Sequence, residues 1–533
     1  MVAADGDRGG QLASALERTA ADYDATPYIS HAFPMTQPGR LSAIAHMFGL
    51  RAPPVATARV LELGCAAGGN LLPQALRFPE ARFLGVDLSG VQIEHGRRRL
   101  GRLGLKNIEL RHGSITEIGE ADGTFDYIIC HGVYSWVPDA VREAILRICA
   151  TRLSDNGVAI VSYNVMPGWH LKRIVRDAML AHAAHIPDPA QKVGQAKALM
   201  NFLKDKVAQA TPYGNALRTE AAFLANQRDD YVLHEFLEAE NTPCTVTEFV
   251  LAAEKQGASY LAETEIHTML AETYGEDTAK ILRELAGNRL LPLEQYIDIL
   301  TGRTFRQTIL VKTEQARRAQ RMLEPIRLMD LHLSGKFRLE PERTDKGAFL
   351  FKDAADRTLT TASPSVATAL EALATRYPAT AEPRELIAIA TRWADQPAAQ
   401  EAAVLDALFR MANVGMIDFS TVPLRIGSAS AERPSASAFA RLDAVERTDH
   451  TASLRHEAVA IDVPMRALLP LLDGTRDRAA LTDGVLRIVA EGGLQLLRDG
   501  RPVEGDEARH NAAAEFVEAT LKALESNALL EPS

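Results

Sequence analysis

Residues 59–164 contain five short apolar runs, most of them separated by segments with helical periodicity, and this pattern limits the fold more than any other feature of the chain. Such runs are typical of buried β-strands, and their alternation with helices predicts an α/β domain built on a doubly wound parallel sheet. Sheets of this kind bind ligands at the carboxyl ends of their strands. The runs are Val60–Leu63, Phe83–Asp87, Ile108–Leu110, Tyr127–Cys130 and Val158–Val161.

The remainder of the chain has a different pattern. From about residue 170 to 345 the strand signal fades into amphipathic helical segments, and Phe305–Val311 is predicted as an isolated strand. The Ala- and Ser-rich segment Ser428–Ala438 predicts a linker, with a structured loop as the alternative. We therefore predict four domains, at residues 1–180, 181–345 (mainly helical), 346–427 and 440–533.

The last two units end in a similar way. Val404 and Leu408 correspond to Val517 and Leu521 at a constant offset of 113 (517 − 404 = 113), and in both places an amphipathic helix leads through a turn into a short apolar strand. A winged-helix unit has this pattern. Because any helix–turn–strand ending looks alike, duplication and coincidence both stay open. Neither unit is basic, which favours protein contact or dimerisation over DNA binding.

Composition excludes several classes of protein. The 533 residues carry a net charge of −10, with 59 Lys and Arg against 69 Asp and Glu, so no global attraction to nucleic acid or to an anionic membrane is expected. Neither a signal sequence nor an apolar run of about 18 residues is present, which predicts no membrane insertion. Four cysteines without zinc-site or redox spacing favour the cytoplasm, and no metal site is predicted.

A glycine-containing loop, Glu62–Asn70, follows the first apolar run and opens a helix. Gly64 and Gly68 permit a tight turn and close backbone approach to a ligand. A dinucleotide fold would need glycine at Ala66, and no P-loop lysine is present. An acidic residue before the turn suits a ligand with an ammonium group, and Asp87, at the end of the second run, suits ribose hydroxyls. A ligand with an amine, a ribose and no phosphate is S-adenosylmethionine (SAM).

In the order of these elements residues 59–164 resemble the class I SAM-dependent methyltransferases. The resemblance implies that Glu62 and Asn70 arrange the methionine end, that Asp87 holds the ribose, and that S-adenosylhomocysteine is the product. Ser114 departs from the acidic residue that many members have beside the adenine, and for Cys130 burial in the core is an open alternative. The implied cofactor-binding residues are Tyr28, Glu62, Gly64, Cys65, Gly68, Asn70, Asp87, Leu88, Gly113, Ser114 and Cys130.

Further segments resemble a narrower family, the bacterial methyltransferases with an appended methyltransferase regulatory domain, whose best-known members are the rickettsial outer-membrane-protein lysine methyltransferases. This resemblance implies a Rossmann-like methyltransferase sheet, a helical middle domain, a winged-helix-like α+β C-terminal part and a homodimer. The segments that carry it are Tyr23–Tyr28, Pro38–Leu41, Ser162–Trp169, His234–Glu238, Asn241–Pro243 and Phe305–Thr308.

Methyl transfer requires a neutral nucleophile held in line with the sulfonium methyl group. Aromatic rings and carbonyl oxygens near the ends of the strands could hold a lysine amine there. The candidate catalytic residues are His131, Tyr134, Trp136, Tyr163, Asn164 and Trp169. Ordinary packing is the alternative for the loop aromatics. Tyr23 and Tyr28 are candidates for a lid over the cofactor, with a domain-packing strap as the alternative.

These features favour a cytoplasmic SAM-dependent methyltransferase that modifies lysine side chains of a protein. N- or O-methylation of a small molecule or glycan is a second enzyme hypothesis. A third hypothesis, from another class, is a SAM-sensing interaction protein with a non-catalytic core. Glu62, Gly64, Gly68 and Asp87 argue against this third hypothesis, because a core that does not bind SAM would be free to lose them.

Overall fold

The computed structural model describes residues 10, 14, 16, 17, 19–21, 23–344, 347–392, 396–498 and 500–532. A seven-stranded sheet with the strand order β3-β2-β1-β4-β5-β7-β6 is the largest sheet of the described residues. Strands β1 to β5 pair in parallel, and β7 runs antiparallel to both β5 and β6. The strands are β1 (Arg59–Leu63), β2 (Arg82–Asp87), β3 (Ile108–His112), β4 (Phe125–Cys130), β5 (Leu153–Asn164), β6 (Ala258–Glu263) and β7 (Phe305–Lys312).

Helices pack around this sheet. The glycine loop Glu62–Asn70 lies at the carboxyl end of β1, between this strand and the helix that follows it. The helix after β2 begins where the Ser89 hydroxyl caps the Gln92 N–H, and it ends at Gly104 in the left-handed conformation. The helices that accompany the sheet are α1 (Pro38–Met47), α2 (Leu72–Arg77), α3 (Gly90–Leu103) and α4 (Asp139–Thr151).

A helical insertion, residues 165–257, connects β5 to β6. It has its own apolar core, which includes Val175, Met200, Leu217 and Phe236. A π-helical turn, Leu233–Leu237, interrupts it. The helices are α5 (Trp169–Ala183), α6 (Pro189–Lys206), α7 (Pro212–Ala225), α8 (Asp229–Val232) and α9 (Val246–Gln256).

The expectation of an isolated strand at Phe305–Val311 is wrong. This segment is β7, which lies between β5 and β6, with Asn164 opposite Phe305. The local pattern could not reveal its partners, because one of them precedes it by the whole insertion. The sheet therefore includes strands on both sides of the predicted boundary at residue 180. Between β6 and β7 lie α10 (Glu276–Ala286) and α11 (Leu290–Thr301), and α12 (Thr313–Ala316) follows β7.

A buried ion cluster ties β6, β7 and α11 together. The Arg306 guanidinium donates to Glu263 Oε1 at 2.8 Å, to Glu294 Oε2 at 2.9 Å and to Asp298 Oδ1 at 2.8 Å. All four side chains are at most 3% exposed. Three carboxylates around one guanidinium are tolerable in the interior only because each of them is hydrogen-bonded.

The next unit combines small sheets with three helices. Strand β12 pairs with β8, and β9, β10 and β11 form an antiparallel sheet. The elements are β8 (His332–Ser334), β9 (Phe337–Leu339), β10 (Phe349–Asp353), β11 (Thr358–Thr361), α13 (Pro364–Arg376), α14 (Pro383–Thr391), α15 (Pro397–Asn413) and β12 (Asp418–Ser420).

The expectation of a linker at Ser428–Ala438 is wrong, since this segment contains β13, which pairs with the last strand. Its small side chains lie against the final unit: Ala429 and Ala436 are buried, and Arg478 donates to the Ala429 carbonyl. The final elements are β13 (Ser435–Ala436), α16 (Ala438–Glu446), β14 (His450–Ala452), β15 (Ala458–Ala460), α17 (Val463–Leu468), α18 (Arg478–Ala490), β16 (Leu497–Arg498), β17 (Arg501–Pro502), α19 (Asp506–Ser526) and β18 (Leu530–Glu531).

A search of the described residues for helices long and apolar enough to cross a bilayer finds none. Within the same residues, no three His, Cys, Asp or Glu side chains are grouped so that they could hold a metal ion.

Candidate active site

A cavity of about 250 Å³ lies where β1, β2 and β4 end. The segment before α1 and residues of the helical insertion also contribute to its lining. The side chains and backbone that line it include Tyr23, Tyr28, Phe33, Glu62, Gly64, Cys65, Asn70, Asp87, Leu88, Ser114, His131, Trp136, Glu235 and Phe305.

The glycine loop forms one wall of this cavity. Gly64 has φ +78°, and a Cβ there would stand 2.4 Å from the Val133 side chain, so only glycine fits. The Ala66 N–H donates to Asp87 Oδ2 at 2.7 Å, which ties the loop to the end of β2. This hydrogen bond and the positive φ of Gly64 set the local shape of the loop.

Asp87 lies at the position predicted for ribose recognition. Its Oδ1 also accepts the Ser89 N–H at 2.8 Å. Burial raises the pKa of Asp87, while these backbone hydrogen bonds act in the opposite direction. Two ribose hydroxyls arriving from the cavity would add donors to the same carboxylate, which suits the charged form.

Glu62 and Asn70 form a pair at the other end of the loop. Asn70 Nδ2 donates to Glu62 Oε1 at 2.7 Å. Glu62 Oε2 is buried without a partner among the described residues, and burial raises the pKa of Glu62 to about 8. Glu62 lines the cavity, and a buried carboxylate oxygen without a partner fits a ligand ammonium group, whose charge would offset the cost of desolvation.

The segment before α1 covers the cavity. The Gly69 N–H donates to Ser30 Oγ at 2.7 Å, and Gln92 Nε2 donates to the Tyr28 carbonyl at 2.7 Å. Burial raises the pKa of Tyr28 to about 12. Tyr28 lines the cavity, as the lid hypothesis expects, and its carbonyl is hydrogen-bonded to α3, as the packing-strap hypothesis expects.

On the predicted adenine side, Leu88 and Ser114 line the cavity. The Ser114 hydroxyl lies 2.8 Å from Thr116 Oγ1 and also caps the Thr116 N–H. Three predicted cofactor residues are not among the lining residues. Gly68 turns the loop at φ +75°, the Gly113 N–H donates to the Asp87 carbonyl at 2.9 Å, and Cys130 is fully buried in the core.

Two of the six catalytic candidates, His131 and Trp136, line the cavity. The His131 ring packs between Phe33 and Phe305, with centroids 4.4 Å and 6.0 Å away, and burial lowers its pKa to about 4. The ring is therefore neutral near pH 7. Trp136 meets Trp169 edge to face at 6.1 Å.

The structure does not bring the other four candidates to this cavity. Tyr163 is buried between β7 and α9, because strand alternation turns it to the face opposite its neighbours. Tyr134 lines a separate cavity beside Cys244. Asn164 is buried with its Nδ2 unpartnered among the described residues, and Trp169 packs on Phe236.

Sequence reasoning missed several residues of the site. Glu235, on the π-helical turn, lines the cavity, and its carboxylate forms no hydrogen bond or ion pair within the described part of the chain. Burial raises its pKa to about 7. Its neighbour His234 stacks on Tyr23 at 4.8 Å. The His234–Glu238 segment had carried a family resemblance, but no local pattern assigned it to the cavity.

A second missed residue comes from the far end of the chain. His456, in the turn between β14 and β15, approaches Asn70 Oδ1 at 2.7 Å and is 4% exposed. The final unit thus contacts the glycine loop directly. Nothing in the spacing of the sequence indicates a contact between residues so far apart.

Comparison with known proteins gives three matching family models. A methyltransferase domain matches residues 60–157, a predicted methyltransferase regulatory domain matches residues 228–312, and the C-terminal winged helix domain of PKMT matches residues 432–529.

Relatives cover almost the whole chain. The uncharacterized protein RP789 of Rickettsia prowazekii is 33% identical over 527 residues, which are 95% of this chain and 93% of that protein. The structure of PKMT2 from Rickettsia typhi has a TM-score of 0.86 at 28% identity and covers 94% of this chain and 100% of its own. The same protein in complex with AdoHcy gives 0.85 at 29% identity, over 95% and 100%.

Proposed function

This chain belongs to the family of SAM-dependent methyltransferases that combine a methyltransferase domain, a regulatory domain and a PKMT-type winged helix domain, and we propose that it methylates lysine side chains of a protein. The fold and the cofactor expected from the sequence, SAM with S-adenosylhomocysteine as product, are confirmed. The solved relative is called PKMT2, and protein lysine methylation comes to this chain as a proposal.

The observation that carries the proposal is the position of Glu235. The carboxylate of Glu235, which has no hydrogen bond or ion pair among the described residues, belongs to a cavity lining that also includes the aromatic residues Tyr28, Phe33, Trp136 and Phe305. Ring faces and a carboxylate together attract a cation on a slender apolar stem, which describes a lysine side chain. An ionised carboxylate as acceptor would be repelled by the same carboxylate.

The chemistry assigns Glu235 a second task. SAM supplies an electrophilic methyl group on a sulfonium. A lysine ammonium must lose a proton before its nitrogen can attack, and its ordinary pKa is about 10.4. In the proposed step this proton moves to a Glu235 carboxylate oxygen. The nitrogen lone pair then forms the N–C bond while the C–S bond breaks, and Glu235 returns its proton to solvent.

We also propose a homodimer in the cytoplasm. Several apolar side chains of α9, α10 and α11 are more than half exposed and would be covered by a second copy. The free cysteines Cys65, Cys130, Cys149 and Cys244 suit a reducing compartment. Sedimentation at several concentrations, with Leu285→Glu as the disrupting variant, tests the dimer. The exposed side chains are Leu251, Ile281, Leu285, Ile299 and Leu300.

The acceptor is tested by incubating the protein with methyl-labelled SAM and a cell lysate, followed by dialysis and acid hydrolysis of the retained fraction. We expect label in methyl-lysine, and none with Asp87→Ala, which serves as the cofactor-site control. Label found only in dialysable material would replace the proposal with methylation of a small molecule. Label on another residue would change the acceptor class.

A further inference from the structure

The turn between β14 and β15 enters the methyltransferase part next to the glycine loop. At its tip His456 has φ +64°, a conformation that costs free energy for any residue with a Cβ. The His456 N–H donates to the Ser453 carbonyl at 2.8 Å and the Ser453 N–H donates to the Glu457 carbonyl at 2.9 Å, which close the turn. The imidazole is thereby directed into the interior.

In the hydrogen bond between His456 and Asn70, the neighbouring contacts indicate which residue is the donor. Asn70 Oδ1 accepts the Phe33 N–H at 3.0 Å, so the atom in this position is an oxygen. His456 Nε2 lies 2.7 Å from this oxygen and 3.2 Å from Gln74 Nε2, which is itself a donor. Because the oxygen has no proton to give and its contact is the shorter one, we assign the proton to His456 Nε2 and the hydrogen bond to Asn70. Burial lowers the pKa of His456 to about 3, which agrees with a neutral ring that carries its one proton on Nε2.

A second hydrogen bond connects Asn70 to Glu62, on the side of the predicted methionine site. With its oxygen held by His456 and Phe33, the amide must direct Nδ2 to Glu62 Oε1, where the distance is 2.7 Å. The other oxygen of Glu62 is buried without a partner among the described residues, and Glu62 is one of the residues that line the cavity. A donor in the final unit therefore orients the amide that orients the carboxylate.

Docking of the final unit does not depend on this imidazole. Gln37 Nε2 donates to the Arg455 carbonyl at 2.8 Å, and Arg77 donates to the Leu454 carbonyl at 3.2 Å. Farther away, Arg99 and Asp443 form a buried ion pair. These contacts would hold the turn in place with another side chain at 456, so the donor can be separated from the docking.

We propose that His456 is a positioning residue for SAM, through which the C-terminal winged helix unit completes the cofactor site. It fixes Asn70, and Asn70 presents Glu62 to the ligand ammonium group. Loss of the donor removes the shortest contact of Asn70 Oδ1, while the Phe33 N–H at 3.0 Å and the Thr36 hydroxyl at 3.1 Å remain. Asn70 and Glu62 then stay in place but are held less firmly, so SAM affinity falls while the reacting groups stay unchanged. This inference concerns cofactor binding and is independent of the acceptor.

The test compares His456→Met, which removes the donor at similar volume, with His456→Gln, whose Nε2 can donate from nearly the same place. Calorimetry with SAM and with S-adenosylhomocysteine should show about a 10-fold weaker affinity for H456M and a nearly normal one for H456Q. The KM for SAM should rise about as much while kcat changes less than about 2-fold. Unchanged affinity in H456M, or H456Q as weak as H456M, overturns the proposal.

Two further variants separate positioning from docking. In a double-mutant cycle with Asn70→Ala, H456M should weaken SAM no further, because His456 acts through Asn70; additive losses would contradict the proposal. Asp443→Asn loosens the docking at a distance and should leave SAM affinity intact, whereas a loss equal to that of H456M would assign the effect to docking. If H456M does not fold, His456→Asn, which tolerates positive φ and is too short to reach Asn70, replaces it in every comparison.

Discussion

The ring of Tyr163 stacks on the ring of Phe249, with centroids 4.0 Å apart and the planes inclined by 18°. The Tyr163 hydroxyl lies 3.1 Å from Thr308 Oγ1, and the Thr308 hydroxyl itself donates to Glu263 Oε1 at 2.7 Å. Tyr163 must therefore be the donor toward Thr308. The ring of this residue therefore joins the sheet to α9, and its hydroxyl joins β5 to β7.

We expect Tyr163→Phe to leave SAM affinity and kcat within about 2-fold of the unmodified chain, since the ring stays and the hydroxyl does not reach the cavity. The lost hydrogen bond should lower the free energy of unfolding by about 1 kcal/mol. Urea unfolding and methyl-transfer assays measure the two effects. A 10-fold fall in kcat with unchanged stability would return Tyr163 to the reaction.

The carboxylate of Asp87 holds the loop at Ala66 and faces the cavity. Asp87→Ala removes both functions and should weaken SAM about 100-fold, whereas Asp87→Asn keeps an acceptor and should cost less. Calorimetry measures both. Asp126, which accepts the Arg59 N–H at 2.9 Å at the opposite edge of the sheet, provides the matched control, and Asp126→Asn should bind SAM normally.

Glu235 should give the reaction a recognisable pH dependence. Its pKa is raised to about 7, so the charged form that attracts and deprotonates a lysine ammonium is lost as the pH falls through 7. We expect kcat/KM for the acceptor to rise more steeply with pH below 7 than above it. Glu235→Gln should lack this additional slope and lose about 10- to 100-fold in kcat/KM at pH 8. Equal profiles for the two proteins would exclude Glu235 from the step.

Removal of Arg306 should destabilise the sheet. Arg306→Met leaves Glu263, Glu294 and Asp298 buried without their common cation, and we expect a loss of about 3–5 kcal/mol in the free energy of unfolding. Calorimetric melting of the cofactor-free protein measures it. Arg317→Met, which removes an exposed i,i+3 pair with Glu314, should change stability by less than about 0.5 kcal/mol. Similar effects of the two variants would contradict the role of burial.

His456 should make the fold sensitive to acid. Its pKa falls from 6.5 to about 3 on folding, so the unfolded chain binds the proton first and stability declines as the pH drops below 6.5. The contribution amounts to about 2 kcal/mol at pH 5. His456→Gln should remove this part of the pH dependence, which urea unfolding between pH 5 and 7.5 measures. An unchanged slope would mean that other groups cause the acid sensitivity.

The parts of the site that the sequence predicted are the local ones. Gly64, Asp87 and Leu88 follow their strands directly, so the strand–loop–helix pattern alone brings them to the carboxyl edge. The pattern did not place Tyr163 correctly, because this residue lies within β5 and not after it. Within a strand, alternation decides which face of the sheet a side chain takes, and the irregular pairing of β5 with β4 is not visible in the sequence.

The distant parts could not be predicted in this way. β7 finds its place between β5 and β6 by edge pairing, which no local periodicity encodes. Glu235 reaches the cavity from a π-helical turn in the insertion, and His456 reaches the loop from a unit whose docking depends on three-dimensional shape. Family resemblance pointed to the segment around Glu235, and physical pattern alone pointed to neither residue.

The position of β7 has a consequence for synthesis on the ribosome. All of β5 has been synthesised once Asn164 leaves the ribosome. Its antiparallel partner β7 follows only after residues 165–304, and β6 also pairs with β7. During this interval the nascent sheet presents an open apolar edge, the kind of surface at which chains aggregate. The insertion has an apolar core of its own, separate from the core of the sheet. The time needed to synthesise the insertion therefore contributes to the delay before β7 can pair with β5.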